Sequence, residues 1–201
     1  MKHLTAIVTY YHTKTLEQLK RCIDSLDQFQ IKWILVDDHS NNRPPYPHLR
    51  TDKNLGPYGA FELALEHIRT PWVMRVDCDD YLISAPVFDE SYDAWCNDFN
   101  GKVNIDTDGF FKKPYAGLTG IVVKTPIMRR VWTSELTTFG DMVIFHRLLR
   151  QFKVTKYEKD CYVYISQQPG SITAVSWNIR GKQRDVAIAK IRGEIADGKR
   201  Y

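Results

Sequence analysis

Residues 71–80 read Pro-Trp-Val-Met-Arg-Val-Asp-Cys-Asp-Asp, and they decide the fold. Pro71 stops a preceding helix, because its ring clashes inside one and it lacks an N–H. Trp72 to Val76 is then a run of strand length, apolar but for Arg75, that breaks off into Asp77, Cys78, Asp79 and Asp80. A strand buried on both faces and ending in carboxylates is the pattern of a parallel sheet that delivers polar groups to a ligand beyond its carboxyl edge.

Upstream, the same pattern recurs. Ile31 to Val36 is a second apolar run ending in Asp37-Asp38-His39-Ser40, and Leu4 to Tyr10 is a first, β-branched one. Between these runs Leu16, Leu19, Ile23 and Leu26 recur at helical spacing. Asn41 to Pro47, with three prolines, reads as loop. Asn54-Leu55-Gly56-Pro57 is a turn into a helix, with Pro57 suited to its first turn and Tyr58, Phe61, Leu65 and Ile68 as its buried stripe. Strand, helix, strand, helix, strand predicts a parallel sheet covered by helices, with both acidic clusters at strand ends.

Downstream the pattern is less regular. Phe88, Tyr92, Trp95 and Phe99 predict an aromatic-faced helix, and Leu118 to Val123 a strand. Thr125-Pro126 reads as an N-cap and helix start. Asp141 to Phe152 is an amphipathic helix, Val154 to Tyr157 and Cys161 to Ser166 read as strands, and Arg180 to Ala196 as a basic amphipathic helix.

The chain has 201 residues, 43% hydrophobic and 26% charged, which suits one globular domain and excludes disorder or fibre. No stretch approaches the roughly 20 apolar residues that cross a bilayer. Met1 to Tyr11 has no small-residue cleavage site and reads as a strand rather than a signal peptide. Cys22, Cys78, Cys96 and Cys161 are scattered, with no C-x-x-C pair, which fits a reducing cytoplasm. The net charge of +4 comes from residues 180–201, with seven Lys/Arg against three Asp/Glu; residues 1–179 balance at 21 and 21.

Two carboxylates spaced as Asp77 and Asp79 can hold one hard divalent cation and leave coordination positions for phosphate oxygens. The same residues also suit a plain acidic turn or a helix N-cap. Asp38 can accept from a pyrimidine N–H or a ribose hydroxyl, or simply end a strand. Asp141 opens its helix, where the dipole favours an acid in any case.

Taken in order, these segments resemble the family 2 glycosyltransferases of the GT-A fold. The family's first strand is similar to Ala6-Ile7-Val8-Thr9-Tyr10, and its V-D-D-x-S motif to Val36-Asp37-Asp38-His39-Ser40. Its N-x-G turn resembles Asn54-Leu55-Gly56, its D-x-D-D motif Asp77-Cys78-Asp79-Asp80, and its E-D-x5-R motif Gly140-Asp141 with Arg147. Its late Y-x-Q-x-P-G-S-x-T stretch resembles Tyr164 through Gln167, Pro169, Gly170, Ser171 and Thr173.

The resemblance covers residues 4–175 and implies a Rossmann-like α/β GT-A domain, a mostly parallel central sheet flanked by helices. It places a nucleotide-binding half at 1–80, an acceptor half at 81–175 and a basic helical tail at 176–201. It implies Thr9, Tyr10, Asp38, Asn54, Gly56 and Asp77 as contacts to the nucleotide, and Asp77 and Asp79 as ligands of Mn²⁺ or Mg²⁺. Asp141 is implied as general base of an inverting, single-displacement transfer from a nucleotide-sugar donor, UDP-sugars favoured, to a glycan or other acceptor hydroxyl. Arg147, Arg180 and Lys182 are candidate contacts to acceptor or diphosphate.

Three departures stand out. Gly140 replaces the usual glutamate before the base. Ser166 and Gln168 replace the late Arg and His, which leaves Arg75, Lys112, Lys113 and Arg180 as candidates to face the diphosphate. No histidine follows His146. Two rival readings stay open: a phage-type enzyme glycosylating hydroxylated bases in DNA, with the basic tail on phosphates, and an inactive nucleotide-sugar-binding module. A nucleotidylyltransferase is disfavoured, because Thr9-Tyr10-Tyr11-His12-Thr13 contains no glycine for a phosphate loop.

Overall fold

The computed structural model describes residues 2–12, 14–97, 118–136, 139–159, 161–163 and 177–201, with only the helical backbone at 177–181. A seven-stranded sheet forms its centre, in the order β3-β2-β1-β4-β7-β6-β8. These strands are β1 (Leu4–Tyr10), β2 (Lys32–Asp37), β3 (Leu49–Arg50), β4 (Trp72–Asp77), β6 (Ala94–Cys96), β7 (Val122–Lys124) and β8 (Val154–Lys156). β1 pairs in parallel with β2 and β4, β2 with β3, and β6 with β8; β7 is antiparallel to both neighbours, so every strand but β7 runs one way. A two-stranded ribbon, β5 (Tyr81–Leu82) with β9 (Tyr162–Val163), lies beside it. The expected α/β architecture is therefore the observed one.

Strand alternation sorts the core. Leu4, Ala6, Val8 and Tyr10 of β1 face one side, with Leu35, Met74 and Val76, and meet Leu19, Cys22, Ile23 and Leu26 of α1 (Leu16–Gln28). Ile7, Val36 and Val73 face the other, against Tyr58, Phe61 and Leu65 of α2 (Gly56–Leu65) and the helices α3 (Thr125–Val131), α4 (Gly140–Gln151) and α5 (Trp177–Ala196). Both faces are covered, which is why β1, β2 and β4 read as continuous apolar runs. Leu16, counted in the buried stripe of α1, is 47% exposed.

Several expectations need correction. No helix forms over residues 83–93; Ser91 instead bonds back to Asp89, and Trp95 lies on β6 with its ring stacked on Tyr157 at 6.1 Å. Phe99 lies outside the described residues. The strand expected from Leu118 begins only at Val122, because Leu118 to Gly120 is a turn with Gly120 at φ +75°. Thr125 is not the cap of α3: it sits inside the helix and donates to the Thr70 carbonyl at 2.8 Å. All four cysteines are buried and free.

On α4, His146 is 3% exposed. Burial, then the charge of Arg150, pushes its imidazole down to about 4. The unfolded chain binds that proton near 6.5, so it gains the proton first as pH falls. Stability is full above about pH 6.5 and declines by up to about 3 kcal/mol towards pH 4. Urea midpoints at pH 7.5 and 4.5 are expected to differ more for the native protein than for His146→Met, and an equal difference would remove His146 as the cause.

Candidate active site

The chain crosses from one side of β1 to the other between β3 and β4, so the crevice at the carboxyl ends of β1 and β4 is the switch point of the sheet. Register brings the expected residues to this edge: Thr9 lies opposite Asp77, and Tyr10 opposite Asp37.

The two aspartates after β2 do different work. Asp37 is wholly buried, accepts from the Ser40 N–H at 2.9 Å and pairs with Arg50. It fixes the turn. Asp38 accepts through Oδ1 from Thr51 Oγ1 at 3.0 Å and from the Leu55 N–H at 2.8 Å, tying the Asn54–Gly56 turn to the strand end. Asn54 accepts from the Gly56 N–H at 3.0 Å, and Gly56 turns the chain at φ +73°, a conformation that favours glycine. The ring of Tyr10 is 2% exposed and packs in the α1-side core, so its contribution to the edge is the carbonyl that receives the Asp38 N–H at 2.9 Å.

At the end of β4 each carboxylate has a protein partner. Asp77 meets Arg75 through Oδ1 at 3.0 Å and Thr119 Oγ1 through Oδ2 at 2.9 Å. Asp79 Oδ2 lies 2.5 Å from Lys14 Nζ, and its carbonyl accepts from Arg21 at 3.2 Å. Asp80, 1% exposed, accepts from Tyr162 at 2.8 Å, and the same hydroxyl receives the Asp77 N–H at 3.2 Å. Burial, and then Asp80 and Asp77, push the Tyr162 phenol well above its usual range, so it remains a donor. Thr119 owes its place to Gly120, where a Cβ would come within 2.8 Å of the Tyr162 ring.

A second line of contacts carries this edge to α4. The Arg75 guanidinium lies 5.5 Å from the centre of the Tyr58 ring, and Tyr58 donates to Asp141 Oδ1 at 3.2 Å while accepting the Asp141 N–H at 3.1 Å. Burial alone would lower the Arg75 pKa, but Asp77, Tyr58 and Asp141 outweigh it and keep the guanidinium charged. Burial, then Asp141, push the Tyr58 phenol far up, so it too stays protonated. Gly140 lets the ring in: a Cβ there would stand 3.0 Å from the Tyr58 ring.

Arg147 is neither at this edge nor on the surface. It is 4% exposed, pairs with Glu194 of α5 at 2.5 Å and donates to the Val131 carbonyl at 2.7 Å. Lys182 is exposed on α5, and Arg180 belongs to the same helix, its side chain outside the described residues. Lys112, Lys113 and the Tyr164–Thr173 stretch also lie outside them. Of the apolar positions Ile188, Ile191 and Ile195 that the sequence offers for packing α5 on the core, Ile191 is fully buried, Ile188 half-buried and Ile195 44% exposed, and Lys190 pairs with Glu135 at 2.6 Å.

Reading the sequence missed Lys14, Tyr58, Thr119 and Tyr162 as site residues. Tyr58 carried a signal only as part of a buried stripe, and nothing local marked the others. Among the described residues no three His, Cys, Asp or Glu side chains converge on one metal position. Among the described residues the carboxylates at this edge suited to a cation are Asp77 and Asp79, a hard-oxygen pair that fits Mn²⁺ or Mg²⁺ shared with phosphate oxygens. A shallow open groove between α1 and β5, lined by Glu17, Lys20, Arg21, Asp24, Tyr81 and Ile83 among others, adjoins this edge at Arg21 and includes none of Asp38, Asp77 and Asp141.

The fold is that of the GT-A glycosyltransferases. Among solved structures it is similar to S. aureus TarS residues 1–349 in complex with UDP, with a TM-score of 0.59 and 15% identity over 79% of this chain and 59% of that one. A longer TarS chain gives a TM-score of 0.65 and 16% identity over 96% of this chain and 39% of that one. The mannosyltransferase PcManGT from Pyrobaculum calidifontis, in complex with GDP-Man and Mn²⁺, gives 0.67 and 13% identity over 99% and 66%. The chain thus spans about 59% and 39% of the two TarS chains it resembles. No protein-family model matches the sequence, and no curated protein sequence matches it. No helix among the described residues is long and apolar enough to cross a membrane.

Proposed function

We propose that the protein is an inverting glycosyltransferase that moves a sugar from a nucleoside-diphosphate donor, UDP-sugars favoured, to a hydroxyl of a glycan or similar acceptor. The observation that carries this reading is the continuous contact line Asp77–Arg75–Tyr58–Asp141, which joins the carboxylates after β4 to the acid at the start of α4. Support also comes from the GT-A fold and from the nucleotides and nucleotide sugar named for its structural neighbours.

In this reading residues 1–80 form the nucleotide half and 81–175 the acceptor half, with 176–201 as a helical appendage. Thr9, the Asn54–Gly56 turn and the remaining oxygen of Asp38 face the nucleoside. Asp77 and Asp79 would hold a divalent ion, which when bound would supply neutralisation of the leaving diphosphate. Asp141 takes the proton of the acceptor hydroxyl as its oxygen forms a bond to the anomeric carbon. The bond from that carbon to the diphosphate oxygen breaks in the same step, and its electron pair leaves with the nucleoside diphosphate. Tyr58, a fixed donor, orients the Asp141 carboxylate.

A melting screen of UDP, GDP, CDP, TDP and ADP, each with and without Mn²⁺, tests the reading. One nucleotide at about 100 times its Kd, with metal, is expected to add roughly 2.7 kcal/mol, a rise of several degrees in Tm. No rise with any of them in the presence of Mn²⁺ overturns the donor assignment.

A further inference from the structure

We propose that Lys14 is the cation that receives the donor's diphosphate, and that in the donor-free protein it guards Asp79 against a lone divalent ion. The inference rests on the glycosyltransferase reading for its ligand, but its first arm does not need a nucleotide.

Lys14 is a built part of the edge rather than a surface lysine that happened to find an acid. Its Nζ lies 2.5 Å from Asp79 Oδ2, with the two side chains only 14% and 11% exposed. The backbone that presents it is fixed on both sides. The Lys14 N–H donates to the Tyr11 carbonyl at 2.9 Å, closing a turn straight off β1. Thr15, the next residue, is the N-cap of α1 in a reciprocal capping box: its Oγ1 accepts from the Gln18 N–H, and Gln18 Oε1 accepts from the Thr15 N–H at 2.8 Å. The lysine therefore projects from a turn pinned between the first strand and the first helix, across the switch point, onto the end of β4.

The charge balance says what it does there. Asp77, Asp79 and Asp80 bring three negative charges; Arg75 and Lys14 bring two positive ones, and Arg21 adds a third at the Asp79 carbonyl. The cluster is nearly neutral as it stands. A bare dication arriving at Asp79 meets an ammonium already bonded to that carboxylate, and the like charges a few ångströms apart oppose it. A nucleoside diphosphate reverses this. Its oxygens can accept from Lys14 and coordinate the ion together, so each cation gains a negative partner.

The test compares the native protein with Lys14→Met and Lys14→Arg. Free Mn²⁺ is followed by its electron paramagnetic resonance signal, first without nucleotide and then with the nucleotide selected by the melting screen. Lys14→Met is expected to bind Mn²⁺ alone at least about tenfold more tightly than the native protein, because Asp79 loses its competing partner. The same variant is expected to bind the nucleotide with Mn²⁺ at least about tenfold more weakly, and Lys14→Arg to resemble the native protein in both arms. Equal Mn²⁺ affinity of the native and Lys14→Met proteins without nucleotide overturns the guarding role. Unchanged nucleotide affinity in Lys14→Met overturns the diphosphate role. Failure of every nucleotide to bind the native protein overturns the donor assignment instead, while the metal-only comparison still decides whether Lys14 guards Asp79.

Discussion

Asp141→Asn is expected to leave the fold and nucleotide binding intact and to lower sugar transfer by about 10²- to 10⁴-fold. The substitution is nearly isosteric, and an amide oxygen can accept the same two bonds that Asp141 Oδ1 accepts now, from Tyr58 at 3.2 Å and from the Met142 N–H at 3.0 Å. What it removes is basicity, the one property that the proposed transfer asks of this residue. The readout is a pair of numbers: kcat by product release, and the Kd of the nucleotide with Mn²⁺. A fall in kcat at constant Kd supports the base. Undiminished kcat removes Asp141 from that role, and a lost Kd reassigns it to donor binding.

Arg147→Ala is expected to destabilise the protein by about 3–5 kcal/mol, because it removes the main partner of the buried Glu194 carboxylate and leaves it only the looser ion pair with Lys190 at 3.9 Å. Burial alone would raise the Glu194 carboxyl; the hydrogen bonds from Arg147 outweigh it and hold the group below its usual range. Arg147 also donates to the Val131 and Trp132 carbonyls at the end of α3 and carries the Tyr201 ring at 4.3 Å, so one side chain joins α3, α4 and α5. For a chain of this length the loss corresponds to a Tm lowered by roughly 10 °C or more. The double variant Arg147→Met/Glu194→Leu is expected to recover much of it, since neither charge then remains buried. A single variant with an unchanged Tm would show that the pair contributes nothing net. Nucleotide affinity is expected to survive in the folded fraction, which separates this strut from the site residues.

The strands β1, β2 and β4 were legible to within a residue or so, because a strand covered on both faces must be apolar throughout and must stop where the acids begin. The aromatic series Phe88, Tyr92 and Trp95 misled for the opposite reason. Its spacing fits a helix, yet Phe88 and Trp95 answer to distant partners, Trp72 at 5.0 Å and Tyr157 at 6.1 Å, while Tyr92 meets Trp95 edge-on outside any helix. Spacing reports which residues are buried together only when they are buried by the same neighbour.

The acids of the site show the same division. By itself the sequence determined the α/β class, the strand ends that carry Asp38 and Asp77, and the helix start that carries Asp141, since all of these follow from local periodicity and chain order. Only the tertiary structure decided what those carboxylates touch. Lys14 and Asp79 are 65 residues apart, Tyr58 and Asp141 83, and Tyr162 and Asp80 82. The tertiary structure also turned Arg147 into a core strut and let Gly140 give way to a tyrosine ring. The physical reason is that hydrophobic pattern is a property of neighbours along the chain, whereas the pairing of buried charges depends on which loops the folded sheet brings to one edge.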